Sequence, residues 1–228
     1  MKNLEERQED TSVIVIGGMI SLGKSSMAKI LGEELGSEVF YESVEDNPIL
    51  PLFYTATEEE IKSNRYPFLL QLYFLHTRFK SIKLALSNKN NVLDRSIYED
   101  WYFAKINYDL GKISDLEMKL YENLLNNMME ELEELPKKSP DLMIYLKGSF
   151  ETVLNRIALR GRDYEVNDEL RDYYYTLWKD YDNWVMNYYN ASEVLIIDCD
   201  NLDYVNIPED RELVVNMVKN KLKEIGNL

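Results

Sequence analysis

The chain has 228 residues, a formal net charge of −15 and a single cysteine, Cys199. This length allows one α/β domain with a sizeable core, and the acidic balance argues against nucleic-acid and anionic-membrane partners. A lone cysteine cannot form an internal disulfide, which suits the cytoplasm, and no apolar run approaches the ~18 residues that a membrane span requires.

The predicted elements alternate between strands and helices after residues 1–12, a polar stretch that we expect to be a flexible tail. Apolar, β-branched runs predict strands at 13–17, 38–42, 91–94, 142–147 and 194–198. Helical periodicity predicts helices at 24–35, 58–87, 97–134, 150–160, 168–190 and 209–225. The alternation predicts a single α/β domain over residues 13–228, in which helices flank a five-stranded parallel sheet.

The first predicted strand ends in a glycine-rich motif of the form G-x-x-x-x-G-K-[ST], which opens the first predicted helix. The motif and the residue after it are Gly18, Met19, Ile20, Ser21, Leu22, Gly23, Lys24, Ser25 and Ser26. The glycines allow backbone N–H groups to turn toward phosphates, Lys24 can place its charge on the β- and γ-phosphates, and the Ser25 hydroxyl can bind Mg²⁺. The strand–loop–helix context favours ATP or GTP binding over an ordinary glycine-rich turn.

Three polar residues are predicted at the carboxyl ends of neighbouring strands, where open parallel sheets collect their ligands. Glu42 ends the second strand. It is either a general base for a hydroxyl that attacks the γ-phosphate or a solvated acidic residue. Asp94 ends the third strand, where it can hold Mg²⁺ through water or pair with Arg95. Arg95 can also hold the transferring phosphoryl group.

A pair of polar residues shares one face of the helix predicted over 58–87. Gln71 and Arg78 are seven residues apart, which is nearly two helical turns. If this face points inward, the two side chains need polar partners, and the edge of a nucleobase would supply them. The alternative is a polar stripe that faces solvent.

Three arginines, Arg156, Arg160 and Arg162, fall within seven residues of an otherwise acidic chain. Gly161 lies between the last two and can act as a hinge. This composition predicts an Arg-rich lid that closes on the transferring phosphates and excludes water, with a charged helix end as the alternative.

Several long motifs resemble the deoxyribonucleoside kinase family, in particular its bacterial, lactobacillus-type deoxyadenosine/deoxyguanosine kinases. The resemblance runs from about residue 13 to the end of the chain and is carried by GGMISLGKSS, FYESVEDNPILPLFY, FLLQLYFLHTRFKSIK, NNVLDRSIYED, LPKKSPDL and RIALRGRDYE. It implies a P-loop nucleoside/nucleotide kinase fold. It also implies transfer of the γ-phosphoryl group of ATP, with Mg²⁺, to the 5′-hydroxyl of a deoxyribonucleoside in nucleotide salvage.

The resemblance implies a role for each matching residue. The general base of the family matches Glu42, its acidic residue near Mg²⁺ matches Asp94, and its arginine near the 5′-oxygen matches Arg95. The residues that it implies for the nucleobase are Gln71, Arg78 and Asp100. Those for the 3′-hydroxyl are Tyr54 and Glu165, and those of the lid are Arg156, Arg160 and Arg162.

The chain departs from the family pattern at three positions. Met19 stands where the family has proline, and Ser21 stands where it has the middle glycine of the loop. Ser21 must therefore reach its backbone angles without the freedom of glycine. Ala104 stands where the family often has a phenylalanine that stacks on the base, and Phe103 or Trp101 is expected to replace it.

Together these observations predict an ATP-dependent deoxynucleoside kinase that prefers a purine, deoxyadenosine or deoxyguanosine. The alternatives are a deoxycytidine-preferring enzyme, a thymidylate-type kinase, and a nucleotide-binding regulatory subunit with little catalysis. The resemblance implies a homodimer or a heterodimer with a related subunit. It also implies feedback inhibition by a deoxynucleoside triphosphate, whose phosphates would reach from the acceptor pocket into the phosphate loop.

Overall fold

Five parallel strands form the centre of the protein. A computed structural model describes residues 12–85, 90–133, 140–167 and 170–227. The strands are β1 (Val13–Gly18), β2 (Glu38–Phe40), β3 (Asn91–Asp94), β4 (Leu142–Lys147) and β5 (Glu193–Asp198). They pair in the order β2-β3-β1-β4-β5, and each of these pairings is parallel. The predicted five-stranded parallel sheet is confirmed.

Helices connect the strands and flank the sheet. In chain order they are α1 (Lys24–Leu35), α2 (Leu50–Thr55), α3 (Glu58–Asn64), α4 (Tyr66–Ala85), α5 (Ile97–Asp109), α6 (Asp115–Glu133), α7 (Phe150–Arg160), α8 (Arg171–Lys179), α9 (Tyr181–Asn187) and α10 (Pro208–Glu224). None of these described helices is both long enough and apolar enough to cross a membrane.

Two long predicted helices are broken in the structure for local reasons. The segment predicted at 58–87 forms α3 and α4, because Arg65 adopts a left-handed φ of 56° and Pro67 occupies the first turn of the next helix. The segment predicted at 97–134 is broken before α6, where Gly111 adopts a left-handed φ of 69°. The predicted helical residues 86–87, 134 and 168–169 lie outside the described residues.

Three shorter segments also differ from the prediction. The helix predicted at 168–190 is interrupted at Asp180, between α8 and α9. The short helix α2 was not predicted. The side-chain oxygen of Asn47 accepts hydrogen bonds from the backbone N–H groups of Ile49 and Leu50 at its start. Strand β2 ends at Phe40, so Glu42 lies two residues beyond the strand rather than at its end.

The core lies between the central strands and the helices packed on them. Its fully buried members include Ile14, Ile16, Val92, Leu142 and Ile144. Ser12, which the prediction assigned to the tail, is also buried, and its backbone N–H and hydroxyl both donate to Asn90. The remaining predicted tail, residues 1–11, lies outside the described residues.

The register of the sheet brings the two most informative motifs together. Ile16 of β1 is the partner of Asp94 of β3, and Arg95 continues this pairing by donating its N–H to the Ile16 carbonyl at 2.9 Å. Because neighbouring parallel strands end at the same edge of the sheet, the glycine-rich loop and the Asp94–Arg95 pair face one region.

Candidate active site

A cavity of about 350 Å³ opens at the carboxyl ends of β1 and β3. It gathers most of the predicted site residues, namely Ile20, Ser21, Gly23, Lys24, Ser25, Ser26, Glu42, Tyr54, Gln71, Asp94, Arg95, Asp100, Arg160, Arg162 and Glu165. These residues lie between positions 20 and 165 of the sequence, so their convergence is a property of the fold. The predicted residues that are not among its described lining are Gly18, Met19, Leu22, Arg78 and Arg156.

The glycine-rich loop wraps around the Lys24 side chain at the start of α1. The Lys24 ammonium donates to the carbonyls of Gly18 and Met19, each at 2.9 Å. Burial lowers the pKa of Lys24 to about 8. Ser21 has a left-handed φ of 64°, the conformation that the departure from glycine implied. Met19 is almost fully buried, so its apolar side chain anchors the loop in the core.

Asp94 and Ser25 form a candidate magnesium site. The Ser25 hydroxyl donates to Asp94 Oδ2 at 2.5 Å. The other carboxylate oxygen, Oδ1, is buried and has no hydrogen-bond partner among the described residues. Burial raises the pKa of Asp94. A serine hydroxyl beside a carboxylate oxygen that accepts no hydrogen bond fits Mg²⁺. This ion takes few protein ligands and completes its coordination shell with phosphate oxygens and water.

Glu42 is held by two arginines from different elements. Its Oε1 accepts from Arg78 Nη2 and from Arg95 Nε, each at 2.9 Å. Burial opposes ionisation, but the guanidinium groups of Arg95 and Arg78 outweigh it and lower the pKa of Glu42 to about 2. The carboxylate that lines the cavity is therefore ionised at any pH near neutrality.

The inward face of α4 carries Gln71 and Arg78, and each residue is only 4% exposed. The alternative of a solvent-facing polar stripe is therefore wrong. Gln71 lines the cavity. Arg78 does not line it within the described structure. Its guanidinium bonds to Asp100 Oδ2 through Nε at 3.1 Å and to the Asp94 carbonyl through Nη1 at 2.5 Å, in addition to Glu42. Arg78 thus holds Glu42, Asp94 and Asp100 in place by hydrogen bonds.

Asp100 and Phe103, both on α5, also line the cavity. Burial raises the pKa of Asp100 to about 6, against the lowering effect of Arg78. The Phe103 ring lies under the Arg95 guanidinium, 4.6 Å from ring centroid to Cζ. Trp101 instead donates to Glu122, and Ala104 is buried in the cluster between α4, α5 and α6. Of the two aromatic residues proposed for stacking, Phe103 is the one that lines the cavity.

The end of α7 and the residues that follow it bring two of the three predicted lid arginines to the cavity. The helix ends at Gly161, which has the left-handed φ of 64° that only glycine adopts easily. Arg160 and Arg162 both pair with the buried carboxylate of Glu165, the latter at 3.3 Å. Tyr54 lies nearby on α2.

Arg156 is placed differently from the other two lid arginines. Its Nη1 donates to the Leu22 carbonyl and its Nη2 to the Cys199 carbonyl, each at 2.9 Å. It therefore ties the glycine-rich loop to the end of β5. The prediction that Arg156 acts with the other two arginines on the transferring phosphates stays a prediction.

Sequence reasoning missed one charged residue of this region. Glu99 is fully buried and accepts hydrogen bonds from Gly18 N–H and from Arg95 Nη1, each at 3.1 Å. The available signal was the capping pattern Ser-x-x-Glu at residues 96–99, which predicts a helix start but says nothing about contacts with the phosphate loop.

The cavity combines a glycine-rich phosphate loop, the buried pair Asp94–Arg95 and the arginines Arg160 and Arg162. This combination defines a phosphotransferase of the P-loop kinase class. A family model described as deoxynucleoside kinase matches residues 14–223, and the chain belongs to this family. It is therefore an enzyme that transfers a phosphoryl group to a small nucleoside substrate, as the motifs predicted.

Two enzymes of Lactobacillus acidophilus are similar to almost the whole chain. A deoxyguanosine kinase is 47% identical over 220 residues, which cover 95% of this chain and 93% of the relative. A deoxyadenosine kinase is 46% identical over 219 residues, which cover 95% and 99%. A solved structure of M. mycoides deoxyadenosine kinase with bound dATP is also similar, with a TM-score of 0.72 and 30% identity over 91% of this chain and 99% of the other.

Proposed function

We propose that the protein is a purine deoxynucleoside kinase that transfers the γ-phosphoryl group of ATP to the 5′-hydroxyl of deoxyadenosine or deoxyguanosine. The observation that carries this proposal is the position of Glu42. Its ionised carboxylate lines the same cavity as Lys24 and Ser25, so a hydroxyl bound to it would face phosphates held by the loop.

In the proposed reaction Glu42 orients the 5′-hydroxyl and accepts its proton as the oxygen bonds to the γ-phosphorus. The bond from that phosphorus to the bridging oxygen of ADP breaks. A carboxylate with a pKa near 2 is a weak base, which suits a loose transition state in which the proton leaves late. Lys24, Arg95, Arg160 and Arg162 would balance the charge on the phosphoryl oxygens.

Ser25 and Asp94 are the residues that would hold Mg²⁺. The buried, unpaired Oδ1 of Asp94 supports this assignment. The bound ion would supply charge neutralisation at the β- and γ-phosphate oxygens. The raised pKa of Asp94 is consistent with a carboxylate whose cationic partner arrives with the nucleotide.

Gln71 and Asp100 are proposed to bind the nucleobase in the acceptor pocket. Arg78 would hold Asp100 through their ion pair, and Phe103 would lie beside the ring of the nucleobase. A carboxamide and a carboxylate can pair with the donor and acceptor groups on a purine edge. Tyr54 and Glu165 are proposed to bind the 3′-hydroxyl. The names of the two Lactobacillus relatives support a purine, and their nearly equal identities give no preference between adenine and guanine.

Radiolabelled ATP offered with each of the four deoxynucleosides and with dTMP tests the proposal. Deoxyadenosine or deoxyguanosine should be phosphorylated far better than thymidine or dTMP. The negative charge of Glu42 would repel an acceptor that already carries a 5′-phosphate. If deoxycytidine or dTMP is the best acceptor, the corresponding alternative replaces the purine assignment. A folded protein that binds ATP and phosphorylates none of them would be the regulatory subunit.

Feedback inhibition is proposed from the same geometry. The acceptor pocket and the phosphate loop share one cavity, so one triphosphate can place its sugar in the former and its phosphates in the latter. The dATP bound to the M. mycoides enzyme supports this possibility. The triphosphate of the preferred nucleoside should inhibit more strongly than the other three and compete with the nucleoside. Equal potency of all four, or competition with ATP alone, would contradict the proposal.

We also propose that the chain is one domain over residues 13–228, that it acts in the cytoplasm, and that it forms a dimer with an identical or related subunit. Exposed leucines on α6 support the dimer, since Leu116 is 78% exposed and Leu120 is 48% exposed. Sedimentation of the purified protein should give twice the mass of the chain where the subunits are identical, and a dimer-sized complex only with the related subunit where they differ. A monomer that is fully active would contradict the assembly.

A further inference from the structure

Glu99 lies at the start of α5, and its buried carboxylate is shared among four donors. Oε2 accepts from the Ser96 backbone N–H at 2.9 Å and closes a capping box. Oε1 accepts from Gly18 N–H at 3.1 Å, from Arg95 Nη1 at 3.1 Å and from the Tyr181 hydroxyl. One oxygen therefore caps the helix, while the other joins the first glycine of the phosphate loop to the arginine that lines the cavity.

Helix capping alone does not require the second set of contacts. Glu117 occupies the same capping position at the start of α6, where its Oε2 accepts from the Ser114 N–H at 2.8 Å. It also pairs with an arginine, through Arg65 Nε at 2.7 Å. Glu117 is not among the described residues that line the cavity. The chain thus holds two capping glutamates with arginine partners, and one of them contacts the site residues.

We propose that Glu99 is a positioning residue for phosphoryl transfer, which holds Arg95 and the start of the phosphate loop in one rigid unit. Arg95 is fixed from two sides, because its Nε bonds to Glu42 and its Nη1 to Glu99. Because the two carboxylates accept hydrogen bonds from different nitrogens of Arg95, they fix the plane of its guanidinium group. A single carboxylate would leave the guanidinium free to rotate about that one hydrogen bond.

The backbone at Arg95 makes this support necessary. Arg95 has a left-handed φ of 79°, a conformation that costs energy for a residue with a side chain and persists only where its surroundings impose it. Gly18 N–H is likewise held twice, by Glu99 and by the Tyr181 oxygen at 3.1 Å. Tyr181 thus accepts from the loop and donates to Glu99. The distance from Arg95 to the loop is set before any substrate binds.

The substitution Glu99→Gln replaces one acceptor oxygen by an NH₂ group. Whichever way the amide turns, a donor then faces either Ser96 N–H or the Gly18, Arg95 and Tyr181 donors.

The inference rests on the proposed function, in which Arg95 faces the transferring phosphoryl group. Small misplacements of such groups cost up to about a hundredfold in rate. The kcat of Glu99→Gln should fall about tenfold to a hundredfold, while the KM for the deoxynucleoside changes less than about threefold, because Gln71 and Asp100 are not its partners.

The experiment compares steady-state kinetics and thermal unfolding of the wild type, Glu99→Gln and Glu117→Gln with the best deoxynucleoside acceptor. Both variants lose a capping carboxylate that pairs with an arginine, so both should lower the Tm. Only Glu99→Gln should lose kcat at temperatures where it remains folded. If the two variants keep the same kcat, or if the Glu99→Gln defect lies wholly in KM for the nucleoside, the role of Glu99 is contradicted.

Tyr181→Phe provides a second variant that keeps the Glu99 charge and removes only the hydroxyl. It should lower kcat about threefold to tenfold and weaken ATP binding in calorimetry, because Gly18 N–H loses one of its two acceptors. If Glu99→Gln does not fold, an unchanged kcat and ATP affinity in Tyr181→Phe overturn the proposal. A wild type inactive on every deoxynucleoside contradicts the proposed function itself, whereas an active wild type with an equally active Glu99→Gln contradicts only the inference.

Discussion

The arginines around the cavity are held in two contrasting ways. Arg78 and Arg95 are about 5% exposed, and each bonds to two carboxylates. The side chains of Arg160 and Arg162 are 31% and 29% exposed and share the single carboxylate of Glu165. Moving a buried arginine that bonds to two carboxylates would leave uncompensated charges. One of the two partly exposed arginines can exchange its ion pair for water at lower cost, because the other still pairs with Glu165. One half of the site is therefore preformed, and the other half is free to respond to a ligand.

The largest effect is expected at the centre of the preformed half. Glu42→Gln preserves the shape of the side chain but cannot accept the proton of the acceptor hydroxyl, so kcat should fall by about a hundredfold or more. The KM for the deoxynucleoside should change much less. Rapid-quench or steady-state assays with labelled ATP measure both. Glu45→Gln, at an exposed position three residues away, is the matched control and should behave as wild type. A Glu42→Gln variant within threefold of the wild-type kcat would remove Glu42 from the chemistry.

The contrast between the two halves predicts opposite balances of activity and stability. Arg162→Gln should lower kcat about tenfold to a hundredfold, since charge stabilisation at the phosphoryl oxygens is lost. The Tm should change little, because Arg160 still pairs with the buried carboxylate of Glu165. Arg78→Gln should instead cost about 3–5 kcal/mol of stability, because it leaves Glu42 and Asp100 short of a buried partner. Kinetics and thermal unfolding of the same preparations test both statements. Equal losses of stability in the two variants would mean that the halves are held alike.

A smaller effect concerns pH. Asp100 has a pKa raised by burial to about 6, so it is ionised at pH 7 and becomes protonated as the pH falls through 6. Protonation removes a charged acceptor from the base pocket and weakens its pair with Arg78. The KM for the purine deoxynucleoside should therefore rise below pH 6, by up to about tenfold per pH unit. Asp100→Asn should have a raised KM at pH 7 and lose this dependence. A wild-type KM that is flat from pH 5 to 7, together with an unchanged KM in Asp100→Asn, would exclude Asp100 from base binding.

The smallest effect concerns strain in the preformed half. Ser21 holds a left-handed φ of 64° in the phosphate loop. Ser21→Gly relieves this conformation but gives the unfolded chain more freedom, so the net gain in unfolding free energy should be at most about 1 kcal/mol. Ser21→Ala keeps the strained Cβ and should give no gain. Denaturant unfolding of the two variants measures the difference. A Ser21→Gly variant that is about 0.5–1 kcal/mol less stable than Ser21→Ala, the usual cost of glycine, would show that the loop bears no strain at Ser21.

The sequence by itself determined the features that depend on neighbouring residues. The phosphate loop is contiguous, so a strand, two glycines, a lysine and a serine are enough to predict its position and the start of α1. The strands follow from short β-branched runs, and their alternation with helices predicts a parallel sheet. The end of α7 at Gly161 was also predictable, because only glycine adopts a left-handed φ easily at the end of a helix.

Tertiary structure decided which charged groups meet. Glu42 pairs with Arg78 and Arg95, which are 36 and 53 residues away, and Glu99 reaches Gly18 across 81 residues. Helical spacing placed Gln71 and Arg78 on one face, yet only packing turned Gln71 into the cavity and Arg78 to its acidic neighbours. Arg156 resembled its two neighbours in sequence but bonds to the back of the loop. The physical reason is that sequence spacing sets the direction of a side chain within its own helix or strand, whereas its partner depends on how that element packs against the others.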